Sequence, residues 1–173
     1  MIIKTYQSKS VLMTLRNGQV HRARRNLRFE APYSALADLF QMHCQSPVFG
    51  YVKGCRFCTD GKVSDSVLLT LDVPDDRVRL TEYNVWADYM DCVLHYTRPG
   101  HRGQVLPNEE VSQRQFNQMQ QDLLDQRPLQ AYQIPQAVLE EIRPEWLVKV
   151  EKDESLLSRL VNRLRVPGFL RGV

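Results

Sequence analysis

Ser66-Val67-Leu68-Leu69-Thr70-Leu71-Asp72-Val73 is a short run of apolar and β-branched residues that closes on Pro74-Asp75-Asp76. The run is too short for an ordinary helix, and Pro-Asp-Asp is turn chemistry, so the segment reads as a strand. A strand needs partners, and the flanking sequence offers them. Val78 to Leu80 continues as a second strand after the turn, and Val48 to Val52 precedes it. Ile2 to Tyr6 and Val20 to Ala23 are strand-like near the N-terminus. Ala137 to Ile142 and Leu147 to Val150 read as closing strands around Arg143-Pro144.

Helical spacing falls between these runs. Val11, Leu12 and Leu15 share one face of a helix that Ser8 or Ser10 can cap and Asn17-Gly18 can stop. Pro32 suits the first turn of a second helix, with Leu36, Leu39, Phe40 and His43 recurring until Ser46-Pro47. Asn84 can cap a third, bearing Val85, Tyr89, Cys92, Val93 and Tyr96. Glu109 to Gln126 is a fourth, polar and Gln-rich. Ser155 can cap a last amphipathic helix carrying Leu156, Leu157, Leu160, Val161 and Leu164. Helices and strands alternate too irregularly for a doubly wound parallel sheet. The expected class is α+β: one domain, a mixed or antiparallel sheet flanked by helices. Its expected bounds are residues 1–151, followed by a C-terminal helix and basic tail over 152–173.

The chain has 173 residues, 43% hydrophobic and 25% charged, with a formal net charge of +3. That length suits one domain with a substantial core. The charge is too small to mark a nucleic-acid binder by itself. No apolar run reaches the roughly 18–20 residues of a membrane span, and MIIKTYQSKS lacks a secretory h-region. The expectation is a cytoplasmic protein whose four cysteines are free thiols or metal ligands.

Several segments, in order, resemble a bacterial and phage family catalogued as domain of unknown function 3841. They are Thr5-Tyr6-Gln7-Ser8 with the following helix and Asn17-Gly18, the stretch Leu68 to Asp76, Leu80 through Tyr83 to Trp86, and Gln136-Ala137-Val138 with Ile142 and Leu147-Val148-Lys149-Val150. Phe49-Gly50-Tyr51 and the cysteine loop stand where that family carries a W-x-W segment. The same order is more distantly similar to the ADP-ribosyltransferases that modify DNA. There a histidine near the first strand contacts NAD, and a glutamate at the head of a late strand drives the transfer. Gln7 and Gln136 stand at those positions. Glutamine can donate and accept hydrogen bonds but cannot act as a base or stabilise a growing cation by charge. The resemblance implies a nucleotide site in which Gln7 and Ser8 hold the nicotinamide-ribose side, Arg22 or Arg24 meets the pyrophosphate, and Gln136 or Glu140 sits by the reacting ribose carbon. The implied activity is transfer of ADP-ribose from NAD to a macromolecule in phage–host conflict, slowed or lost through Gln136.

Other groups admit two readings each. Cys55-x-x-Cys58 has zinc-knuckle spacing, and Cys92-x-x-His95 puts two ligands on one helix face, so these four could hold zinc at about 2.3 Å per thiolate; His43 and Cys44 are further ligand candidates. The other reading is loop thiols and a half-buried helical cysteine. Arg22 to Arg28 could meet phosphates of a dinucleotide or a nucleic acid, or be a solvated edge. Trp86 and Tyr89, with Tyr83 ahead of them, could stack on a base or be core. The last helix could bind a partner or a membrane surface, or dock on the domain. A non-enzymatic adaptor for nucleic acid or protein, with or without a zinc staple, is the rival to the transferase.

Overall fold

A computed structural model describes residues 1–56, 66–97, 104–106 and 111–152. The C-terminal helix expected from Ser155 and the thiol of Cys58 lie outside these residues. The strands are β1 (Ile2–Ser8), β2 (Val48–Val52), β3 (Ser66–Asp72), β4 (Arg79–Glu82), β5 (Pro135–Leu139) and β6 (Leu147–Lys152). The helices are α1 (Lys9–Arg16), α2 (Glu30–Leu39), α3 (Tyr83–His95) and α4 (Gln113–Leu124). All six strands join one antiparallel sheet in the order β4-β5-β2-β1-β3-β6. The fold is α+β, as its sequence pattern implies. Among the described residues, no helix is long and apolar enough to cross a membrane.

The Ser66 run becomes β3, whose residues are buried from Ser66 through Leu71 because both faces of the strand are covered. Its Val67, Leu69 and Leu71 meet Val11, Leu12 and Leu15 of α1. That core continues under the whole sheet through Ile3, Val48, Val52, Leu80, Ala137 and Leu139. On the opposite face, the described helices pack over the β4-β5-β2 half. There Leu36 of α2, Trp86 and Tyr89 of α3, and Phe116 and Leu123 of α4 pack on Val138 of β5. Gly18, at φ +73, takes the left-handed position that ends α1. Ser112 and Gln115 close a reciprocal cap at the start of α4.

Several features differ from the sequence pattern: α4 runs Gln113–Leu124 within the expected Glu109 to Gln126, and β5 runs Pro135–Leu139 where Ala137 to Ile142 is expected. Val20 to Ala23 is not a strand; it contributes one bridge, in which the N–H and C=O of His21 pair with Ile142 at 2.8 Å each. α2 stops at Leu39, before His43, because Gln41 turns to φ 55 and the Met42 N–H donates back to the Ala37 carbonyl at 2.8 Å. α3 begins ahead of Asn84; Glu82 occupies the cap position and turns its carboxylate to the N–H groups of Gln133 (2.7 Å) and Ile134 (2.9 Å). The two closing strands do not sit together: β5 lies between β4 and β2, while β6 forms the far edge beside β3.

Candidate functional site

β1 runs beside β3 for its whole length, from Ile2↔Asp72 to Ser8↔Ser66. Beside β2 it pairs only at Ile3↔Val52 and Lys4↔Tyr51. At the point of parting the two backbones are very close. A Cβ on Gly50 would lie 2.6 Å from Ile3 Cγ2 and 2.9 Å from the Lys4 carbonyl oxygen, so only glycine fits. Beyond it, side chains replace the ladder: Thr5 Oγ1 donates to the Phe49 carbonyl at 2.7 Å and accepts from Gln7 Nε2 at 2.9 Å. Where the strands diverge, a groove of about 500 Å³ opens, bounded by β1, β2, the head of β5 and α3.

One wall of the groove is aromatic. Phe49 stacks on Trp86 with centroids 5.5 Å apart, Tyr33 sits 5.3 Å from Phe49, and Phe29 sits 5.8 Å from Tyr33. The polar lining comes from the sheet. Strand register sets Thr81, Gln136, Tyr51, Lys4, Thr70 and Lys149 side by side across all six strands. Residues directly opposite in a ladder share a face, so this row is a polar stripe, and its members Gln136, Tyr51 and Lys4 line the groove. Gln136 Oε1 accepts from Thr81 Oγ1 at 3.3 Å. With Gln7 held by its amino group and Gln136 by its carbonyl, Gln7 Oε1 and Gln136 Nε2 have no partner among the described residues. The two glutamines thus present one acceptor and one donor. Lys4 Nζ lies 3.5 Å from Glu151, which is 3.0 Å from Lys149 as well, so one carboxylate serves two ammonium groups. The hydrogen bond from Lys149, aided by Lys4, holds the Glu151 carboxyl below its usual range. Burial, then Tyr6 and Glu151, pushes the Tyr51 phenol up, and burial alone does so for Tyr33, so both stay protonated donors. Among the described residues no carboxylate, imidazole or thiol lines the groove.

Gln7 and Gln136, far apart in sequence, therefore share one groove. Trp86 faces it while Tyr89 is core. Ser8 does not line it; its hydroxyl is exposed and bonds Ser10 at 2.7 Å. Arg22 and Glu140 line a second recess of about 210 Å³ instead. The ridge between the recesses is the His21 segment: Ala23 faces the groove and Arg22 the other side. Glu140 follows Gln136 by four residues, about 13 Å along an extended chain, and so cannot stand in for a carboxylate at Gln136. Arg24 is exposed, with no ion-pair partner among the described residues. Arg25 pairs with Glu30, and Arg28 lies 5.2 Å over Phe29.

Among the described residues, the candidate zinc ligands Cys55 and Cys92 are not brought together. Cys55 packs on the core beneath the sheet, and Cys92 is buried in the helical layer above it. Burial, then Asp91, raises the Cys92 thiol. His95 is exposed and sits 2.9 Å from Asp91. Burial, then Glu140, pushes the Cys44 thiol up to about 11. No group of three potential ligands occurs among the described residues.

Lys4, Tyr51 and Thr81 belong to the site but are inconspicuous in sequence. Each is an ordinary strand residue until register aligns it with Gln136. Comparison of the chain with family models, with curated proteins and with solved structures gives no match.

Proposed function

We infer that the groove binds NAD or a related nucleotide, in an ADP-ribosyltransferase-like arrangement. The observation that supports this reading is the convergence of Gln7, on the first strand, and Gln136, at the head of a late one, on a single groove. The nicotinamide or adenine ring would stack on the Phe49–Trp86 wall, where base–aromatic stacking contributes about 1–3 kcal/mol per ring. Gln7 Oε1 would accept from a ribose hydroxyl or ring amide, and Gln136 Nε2 would donate to one. Lys4, whose counter-ion is shared, replaces Arg22 and Arg24 as the cation for the pyrophosphate.

Among the described residues the groove has no carboxylate in its lining, which favours binding without turnover. Glycosidic transfer develops positive charge on the ribose, and neither Gln136 nor its neighbours can balance it by charge. A non-enzymatic adaptor that holds the nucleotide, or the nucleotide part of a macromolecule, is therefore the second reading. If turnover survives, its target would be a macromolecule in phage–host conflict.

A ligand that binds only the folded state stabilises it by about 2.7 kcal/mol at a hundredfold excess over Kd. The expected result is a dose-dependent rise in Tm with NAD or ADP-ribose of roughly 5–10 °C for a chain of this size. Gln7→Ala and Lys4→Met should each reduce it, and chromatography should detect little free nicotinamide. A folded protein that shows no shift at millimolar nucleotide refutes the nucleotide reading.

A further inference from the structure

The second recess carries a charge pattern that the groove does not. Arg22, Arg77, Arg79 and Arg143 line it, against Asp76, Glu140 and Glu141. Four cations against three anions leave one positive charge in surplus. The pairing within it is uneven. Arg143 is anchored: its Nε lies 2.6 Å from Glu141 Oε1, and its guanidinium lies over Trp146 at 5.8 Å. Glu141 is buried, so this pair forms the fixed floor. Arg22 reaches the same carboxylate at 2.7 Å, but the contact is not aligned as a hydrogen bond. Among the described residues, Arg79 bonds only the carbonyls of Asp76 (3.3 Å) and Val78 (3.5 Å). Arg77 meets Asp76 at 3.6 Å through Nε alone. Three guanidiniums thus keep directed N–H groups for something else: Arg22 from the segment after α1, and Arg77 and Arg79 from the turn and first residue of β4, so two segments converge on one recess.

Guanidinium forks match phosphate oxygens in a bidentate way, and a lone carboxylate does not saturate several of them. At about 210 Å³ the recess is smaller than the roughly 300–1,000 Å³ of pockets that take whole ligands. It suits a group rather than a cofactor. We propose that this recess is a phosphate-binding site, in which Arg22 and Arg79 clamp the phosphate over the Arg143–Glu141 floor and Glu140 weakens the grip by repulsion. The phosphate is either free or carried by a polynucleotide, and the ridge bearing Arg24, Arg25 and Arg28 leads away from it. The site is independent of the nucleotide groove: it shares no lining residue with it.

The test is calorimetric titration of the full chain with inorganic phosphate at low ionic strength, with sodium chloride of matched ionic strength as control. Phosphate should bind and chloride should not. Arg22→Ala with Arg79→Ala should weaken phosphate binding at least about tenfold, as expected on losing hydrogen bonds to a charged group. Glu140→Gln should tighten it severalfold, a gain that misfolding cannot mimic and that stands even if the double variant fails to fold. An octathymidylate arm separates the sources. A salt slope near −0.7 in log K marks one seated phosphate, and a steeper slope marks a strand that continues over the ridge. Equal binding by chloride, wild-type affinity in a folded double variant, or weaker binding in Glu140→Gln overturns the proposal.

Discussion

Gly50→Ala should destabilise this protein, against what strand propensity predicts. In an ordinary strand interior, replacing glycine by alanine stabilises by roughly 0.5–1 kcal/mol, because the unfolded chain loses freedom. Here the added methyl would stand 2.6 Å from Ile3 Cγ2 and 2.9 Å from the Lys4 carbonyl oxygen. Ile3 could turn its side chain, although it is fully buried. Lys4 O is backbone and can yield only if β1 moves. Moving β1 stretches the Thr5–Phe49 hydrogen bond of 2.7 Å and strains the ladder with β3. Overpacking of this kind costs about 1–3 kcal/mol, which outweighs the entropic gain and leaves about 1–2 kcal/mol of net loss. At about 2–4 °C per kcal/mol for a chain of this length, Tm should fall by about 2–8 °C. Urea titration followed by circular dichroism should give a lower midpoint with an unchanged m-value. A variant as stable as the parent, or more so, would show that the strands do not approach at Gly50 and would remove the physical basis for the groove.

Two further perturbations test the same region and its surroundings. Thr5→Val keeps the shape but leaves the Phe49 carbonyl and Gln7 unanchored; denaturant titration should show a loss of about 1–3 kcal/mol, and any nucleotide-induced rise in Tm should shrink, whereas unchanged stability would mean the hydroxyl bridges nothing. With its pKa pushed up to about 11, Cys44 holds roughly a hundredfold less thiolate at pH 8 than an ordinary thiol. Peptide mapping after iodoacetamide should show it protected in the native protein and labelled in urea, and equal labelling would refute the shift. The sign for stability follows: a raised thiol pKa favours the neutral folded form, so this contribution is present below the unfolded pKa and is lost progressively as pH rises from there through the folded value of about 11.

The elements that residue type alone specifies were legible. The apolar run from Ser66 and the Gly18 stop each act through local chemistry, and each forms where the pattern puts it. Gln7 and Gln136 could be paired only through resemblance, yet they meet in one groove. What was hidden depends on register and topology. Lys4 and Tyr51 gain meaning only as neighbours across β1 and β2. Arg22 alternates with Arg24 as a strand residue would, but a single bridge at His21 decides that Arg22 faces Glu141 and not the groove. Cys55 and Cys92 have ligand-like spacings, and the sheet that separates them cannot be read from spacing.

The seam at Ile3 and Lys4 behaves mechanically like the spine of a book. Two rungs join β1 to β2, while the core beneath runs unbroken from Leu71 to Leu139. Above the sheet, the described helices grip the β4-β5-β2 cover. Any rotation about this spine would have to stretch the Thr5–Phe49 hydrogen bond above it, while the apolar binding beneath would stay closed. A guest inserted between Phe49 and β1 would act as a wedge, so its thickness, more than its charge, would set how far the pages stand apart.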